Sequence, residues 1–142
     1  MLHDLKILVH DLSMLFLFAD QTPFVLFSKL DNRTLEMNSA GSVKMQTYEE
    51  SNLNQQWVIT DIGDQWMNVG LKKPMEVGNG RNWILGEYQN GYLILDKRTP
   101  TRAIDRGWVQ EDGRGVGTYN AHGAPNQRFE MAYMSTGPTT VG

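Results

Sequence analysis

Residues 103–131 read AIDRGWVQEDGRGVGTYNAHGAPNQRFEM. The stretch closes on Asn126-Gln127-Arg128-Phe129, and an earlier one closes on Asn54-Gln55-Gln56-Trp57. Both are Asn-Gln-x-aromatic with a further apolar residue close behind. A tetrapeptide that returns with its apolar tail predicts one structural unit used more than once. The two glutamines lie 127 − 55 = 72 positions apart, room for two units of about 36 to 40 residues.

Upstream of each tetrapeptide stand an acid and a tyrosine. Segment 35–48 lies over segment 75–88 without a gap, so that Glu36 and Tyr48 match Glu76 and Tyr88, twelve positions apart in each (48 − 36, 88 − 76). Asp105 and Tyr119 form a third pair, fourteen apart (119 − 105). The order apolar, acid, glycine, apolar, tyrosine holds in all three. Short strand-like runs at 24–27, 57–59, 66–69 and 92–95 are separated by turn signals such as Asp31-Asn32, Gly78-Asn79-Gly80 and Asn90-Gly91. Long helical periodicity is missing. Three units of about four short strands predict an all-β chain, a β-trefoil in which no unit can bury its own apolar face.

The second repeat is shortened. Tyr48 and Tyr119 are each followed by Asn-Gln-x-aromatic, whereas Tyr88 is followed only by Gln89-Asn90-Gly91 before the next strand. On this register about a dozen residues, one strand and its turn, are absent after Tyr88. Residues 1–22 carry a surplus apolar segment of similar length, expected as an added strand in the vacant position. The trefoil domain is expected over 23–135, with a tail at 136–142.

Bulk properties narrow the function. A chain of 142 residues fits one domain. A formal net charge of -3 gives no electrostatic reason to bind nucleic acid. The chain has no cysteine, which excludes disulfides, thiolate zinc sites and a cysteine nucleophile, and suits a cytoplasmic protein better than a secreted one. The apolar run 14–19 is too short to span a bilayer, and no small-x-small cleavage pattern follows it. His3, His10 and His122 lack metal-ligand spacing, and the glycines at 113, 115 and 117 lack the dinucleotide-binding pattern, so no cofactor is expected. Lys97, Arg98, Arg102 and Arg106 read as a solvated basic hairpin face.

The repeated Asn-Gln-x-Trp/Phe, with its upstream acid and aromatic, is similar to the QxW repeat of the ricin B-type β-trefoil lectins. The run NQQWVITDIGDQWMNV resembles in particular the small cysteine-free mushroom lectins of that family. The likeness covers about 23–133. It implies a non-catalytic carbohydrate-binding protein for galactose-type sugars, with glycans or glycoproteins as partners. The QxW aromatics, Trp57 and Phe129, would pack into the barrel, and Gln55 and Gln127 would brace the site acid. Carried over, the sugar site of the third unit is Asp105, Tyr119, Asn126 and Gln127, and that of the first is Glu36, Tyr48, Asn54 and Gln55. The second unit supplies only Glu76 and Tyr88. The family's acid is usually aspartate, so the third unit is the principal candidate.

The residue types suit the chemistry. A pyranose has an apolar C–H face, on which an aromatic ring stacks, and a rim of hydroxyls. A carboxylate accepts from those hydroxyls with charge-assisted strength, and an amide both donates and accepts. Asn120 and His122, on the loop between Tyr119 and Asn126, are placed to add a polar contact. Affinity for one sugar should be weak, roughly millimolar to micromolar, with avidity from a homodimer or a second site. A β-trefoil is also compatible with a protease inhibitor acting through a surface loop. The discriminating feature is whether Asp105, Tyr119 and Asn126 converge on one open pocket.

Overall fold

The computed structural model describes residues 2–8, 22–60 and 64–134. Twelve strands lie among them: β1 Lys6–Leu8, β2 Phe24–Ser28, β3 Thr34–Met37, β4 Val43–Gln46, β5 Trp57–Ile59, β6 Trp66–Asn68, β7 Trp83–Tyr88, β8 Gly91–Asp96, β9 Thr99–Asp105, β10 Arg114–Gly115, β11 Gly117–Asn120 and β12 Phe129–Tyr133. Two single-turn 3-10 helices, Leu53–Gln55 and Pro125–Gln127, precede β5 and β12. Alternation appears where one face is wet: in β4, Val43 and Met45 are buried while Lys44 and Gln46 are half-exposed. In β8 the run Leu93 to Asp96 is buried on both faces.

A threefold register organises the barrel. Trp57 pairs with Asn68, Trp83 with Asp96 and Phe129 with Ser28. Each pair sets a fully buried aromatic opposite a buried polar residue that opens a turn. Ser28 Oγ accepts from Leu30 N at 3.2 Å, Asn68 Oδ1 from Leu71 N at 3.0 Å, and Asp96 Oδ1 from Arg98 N at 3.0 Å, a local bond typical of these side chains. Both tryptophans also satisfy their indole N–H: Trp57 Nε1 donates to Leu35 O at 3.1 Å and Trp83 Nε1 to Met75 O at 2.9 Å. Phe129 has no such donor. The three rings share one core with Phe24, Leu26, Met45, Trp66 and Ile104. The last strand, β12, pairs with the first barrel strand, β2, over five residues and closes the ring. The hairpins β3·β4 and β9·β11 cap the first and third units. The fold is an all-β trefoil with a shortened second unit.

The shortening falls elsewhere than the sequence register places it. Ser28 to Trp57 spans 29 positions and Asp96 to Phe129 spans 33, but Asn68 to Trp83 spans only 15. The missing piece is therefore the cap hairpin of the second unit, and the QxW strand is present as β7. Trp83 takes the aromatic position, preceded by Arg81-Asn82 where the other units have Gln55-Gln56 and Gln127-Arg128. Two isolated bridges, Met67 to Pro74 and Val77 to Gly80, stand where the hairpin would be. What fixes this register is the tight turn at Gln89 (φ 47°) and Asn90 (φ 63°), which pairs Tyr88 with Gly91 and so ties β7 to β8. Met75 O accepts from the Trp83 indole as Leu35 O does from that of Trp57, so Glu76 keeps the register of Glu36; Tyr88, which ends β7 beyond the aromatic, does not stand at the position of Tyr119.

Strand β1 pairs antiparallel with β7, Lys6 with Glu87 and Ile7 with Gly86. Leu2 and Leu5 join a smaller apolar cluster with Leu93, Leu95, Ala103 and Tyr88. A Cβ on Gly86 would lie 2.6 Å from Leu5 Cδ1, so the bare glycine makes room for this packing. The apolar run 14–19 and the tail 136–142 lie outside the described residues.

Candidate functional site

Asp105 ends β9, and its carboxylate is held from two sides. Oδ1 accepts from Gly107 N at 2.8 Å and from Asn126 Nδ2 at 3.0 Å. Oδ2 accepts from Gln127 Nε2 at 2.9 Å, and His122 Nε2 lies 3.7 Å away. A carboxylate has about four lone-pair sites; three are used, and the one left is on Oδ2. The side chain is 15% exposed, so the free site is what the surface presents. One strong acceptor position is available, fewer than the two-hydroxyl clamp that the residue types suggest.

Gln127 is fully buried and bonds at every position it has. Nε2 also donates to Asn120 O at 2.9 Å, and Oε1 accepts from His122 N at 2.8 Å and Gly123 N at 3.1 Å. It ties the acid to the loop 120–123. Asn126 is 2% exposed and stands behind the carboxylate. It holds Asp105 in place and does not line the open surface, which corrects the expectation of a direct sugar contact. His122 is oriented by Ala124 N, which donates to Nδ1 at 3.1 Å; its ring lies edge-on to Tyr119 with centroids 6.2 Å apart.

In front of Asp105 is an open cleft of about 460 Å³, lined by Asp105, Gly107, Trp108, Val109, Gly117 and Tyr119 among others. Tyr119 is 57% exposed and Trp108 58% exposed. Two large aromatics left in water beside a braced carboxylate make a surface fit for a polyol with an apolar face. Trp108 was missed in the sequence. Its signal was present: a tryptophan among Gly107, Gln110, Glu111 and Asp112, with no strand alternation around it, has no core to enter.

The cleft wall, 106–116, is anchored onto the first unit. Arg106 is buried and ion-paired with Asp31, and its Nη2 donates to Val109 O at 2.8 Å. Arg33 bridges onward, from Asp31 Oδ2 to Asp112 Oδ1 at 2.8 Å. Thr47 Oγ1 donates to Asp112 at 2.9 Å, Gly113 N donates to Met45 O at 2.8 Å, and β10 pairs with β4. Arg106 is thus not part of a solvated basic face, because a buried aspartate holds it. Burial alone would raise the Asp31 carboxyl; the hydrogen bonds from Arg106 and Arg33 outweigh it and hold that carboxyl below the usual aspartate range. Its folded value being the lower one, its stabilisation is complete above the unfolded value of about 3.9 and is lost as pH falls through the folded value. Urea unfolding at pH 7 and below pH 4 is expected to show this acid loss in the wild type and a smaller one in Asp31→Asn. The variant should also start lower at pH 7, by about 3 kcal/mol, since it leaves Arg106 buried without its charge partner. An unchanged acid slope would remove Asp31 from the account.

The first unit repeats the brace without the cleft. Gln55 Nε2 donates to Glu36 Oε1 and Thr47 O, each at 2.9 Å, and Gln55 Oε1 accepts from Glu49 N at 2.8 Å. The second donor to Glu36 is Asn52 Nδ2 at 3.2 Å, and not Asn54. Asn54 instead faces the turn at Gly70, where a Cβ would strike its side chain. Tyr48 also falls out of register. Asp105 pairs with Gly117 and Ala103 with Tyr119; Glu36 pairs with Lys44 and Thr34 with Gln46. Gln46 therefore occupies the position of Tyr119, and Tyr48 packs on Phe27 with centroids 5.1 Å apart. The turn 38–42 is short, closed by Gly41 N donating to Asn38 O at 2.8 Å, and has no counterpart of the wall 106–116.

Solved structures resemble this one across the trefoil. A designed threefold-symmetric protein, ThreeFoil, superposes with a TM-score of 0.67 at 22% identity, over 78% of this chain and 97% of that one. The C-half of an earthworm R-type lectin, solved with GalNAc, gives 0.65 at 17% identity, over 80% and 99%. The Rhizoctonia solani agglutinin gives 0.65 at 17%, over 80% and 96%. An exo-β-1,3-galactanase from Clostridium thermocellum gives 0.67 at 23%, but over only 31% of that chain. No protein-family model matches the chain, and no curated protein does. At these identities the likeness establishes the β-trefoil fold. Several of the proteins sharing it are lectins.

Proposed function

We propose that the protein is a non-catalytic lectin that binds galactose-type sugars through its third unit. The observation that carries this reading is one carboxylate, Asp105, braced by three donors and opening on a cleft flanked by exposed Trp108 and Tyr119. Asp105 offers its remaining Oδ2 position to a sugar hydroxyl, and one of the two rings takes the apolar sugar face. His122 stands beside them as a further donor. Gln127 and Asn126 hold the acid rigid, which lowers the ordering cost of binding. The earthworm and Rhizoctonia lectins with the same fold favour the same direction. Glu36 is braced through one oxygen, by Gln55 and Asn52, and lacks an aromatic at the Tyr119 position, so the first unit contributes little. Among the described residues lining the cleft, Asp105 is the only carboxylic acid, whereas glycoside hydrolysis ordinarily uses a pair. Asp105 and Tyr119 share one open surface, which favours sugar binding over protease inhibition through a protruding loop.

A glycan array with the wild-type protein tests the proposal, with free galactose as competitor. Binding to terminal galactose or N-acetylgalactosamine, displaced by the competitor, is the expected result. A folded protein that binds no glycan sinks the reading. Trp108→Ala should weaken the captured glycans by about threefold to tenfold, the worth of one aromatic contact, without moving the unfolding midpoint, because the ring is already in water.

A further inference from the structure

The cleft extends beyond Asp105 to Gly113, Arg114 and Gly115. Arg114 lies three positions before Gly117, the register partner of Asp105, roughly 10 Å at the rise of a strand. That is more than one pyranose ring covers and within the reach of a disaccharide. The floor between is bare: a Cβ on Gly107, Gly113 or Gly117 would meet nothing within 4 Å. At the far end Arg114 lines the cleft, and Lys44 of the first unit stands just outside that lining. Gly115 pairs with Lys44, and a Cβ on Gly115 would lie 3.7 Å from Lys44 Nζ. Neither Arg114 nor Lys44 has an ion-pair or side-chain hydrogen-bond partner among the described residues. Two acids stand near them: Asp112 is engaged by Arg33 and Thr47, and Glu36, the register partner of Lys44, is engaged by Gln55 and Asn52 through Oε1. In a chain of net charge -3, two free cations beside a glycine-floored groove form a local anion site.

We infer that the cleft takes an acidic oligosaccharide: a neutral sugar at Asp105 and, one unit along, a carboxylate or sulfate on Arg114 and Lys44. This rests on the lectin reading and extends it. An arginine fork suits either oxyanion, and the lysine adds a point charge. Both cations are solvent-accessible, so the gain is moderate and screened by salt.

Titration calorimetry with lactose, a sialylated lactose and a sulfated lactose, on wild type and on Arg114→Gln/Lys44→Gln, tests this. The wild type is expected to bind at least one acidic sugar about fivefold more tightly than lactose in low salt, with the ratio shrinking at 0.5 M salt. In the double variant the ratio should fall to about one. Which acidic sugar shows the preference identifies the anion. Lactose binding with no acidic preference would overturn the inference and leave the lectin reading standing. A preference that survives in the double variant would also overturn it, by placing the anion elsewhere. Binding of none of the three would remove both.

Discussion

Asp105→Ala is expected to weaken glycan binding by about tenfold to hundredfold, the worth of hydrogen bonds to a charged group. The loss should exceed that of any other single change in the cleft, because the other contacts are apolar or peripheral. The variant should also lose stability, roughly 2 kcal/mol. Gly107 N, Asn126 Nδ2 and Gln127 Nε2 all point at this carboxylate, and a buried donor without its acceptor is costly. Asp105→Asn separates the two effects. Its one carbonyl oxygen can still serve Gly107 N and Asn126 Nδ2, but its amide nitrogen would face Gln127 Nε2, donor against donor. Gln127 cannot turn over to relieve this, since its Oε1 is needed by His122 N and Gly123 N. The asparagine variant should therefore lose nearly as much binding with a smaller stability loss. Titration on a glycan that the wild type captures, with unfolding midpoints alongside, reads both. Affinity within about twofold of wild type in both variants would move the site away from the third unit.

The sequence made the fold legible through what the barrel needs three times. An aromatic must fill each unit's share of the core, and it must be preceded by residues that close the 3-10 turn. Asn54 to Trp57 and Asn126 to Phe129 announce this. Trp83 does the same work without the glutamine, in a unit whose cap hairpin is reduced to two isolated bridges. Its neighbours therefore carry no motif, and counting acid-to-tyrosine spacing led to Tyr88. The geometry of the candidate third-unit site was legible for Asp105, Tyr119 and Gln127, since each follows from a short local register. Asn126 was placed one layer too far out, because spacing does not tell which side of a carboxylate an amide approaches. Tyr48 failed for a related reason. The spacing of 14 in the third unit against 12 in the first reflects hairpin loops of different length. Strand pairing counts from the acid across the hairpin, and that puts Gln46 opposite Thr34. The Arg106–Asp31 pair was hidden because it depends on a contact between the third unit and the first, 75 positions apart.

Trp83→Ala is expected to be the most damaging substitution in the core, at about 3–5 kcal/mol. Trp57, Trp83 and Phe129 are equally buried, but their surroundings differ. The first and third units cover their aromatic with a cap hairpin. The second has only the segment around Met75 and Val77, which packs directly on Trp83, and a Cβ on Gly80 would collide with the indole. Truncation there leaves a cavity with little chain able to collapse into it, and strands Met75 O of its indole donor. Trp83→Phe is the informative companion. Phe129 shows that the barrel accepts phenylalanine at this register position, so the cost should fall to about 1–2 kcal/mol, a lost hydrogen bond and part of a ring. Urea unfolding followed by far-UV circular dichroism separates the cases, and at about 2–4 °C per kcal/mol the alanine variant should melt on the order of 10 °C lower. If alanine costs no more than phenylalanine, the second unit is not closed by Trp83. The load would then have to rest on the segment that leads into strand β1, whose Leu2 and Leu5 pack against Leu93, Leu95 and Ala103 of β8 and β9, and removal of residues 1–8 should in that case cost more than the tryptophan does.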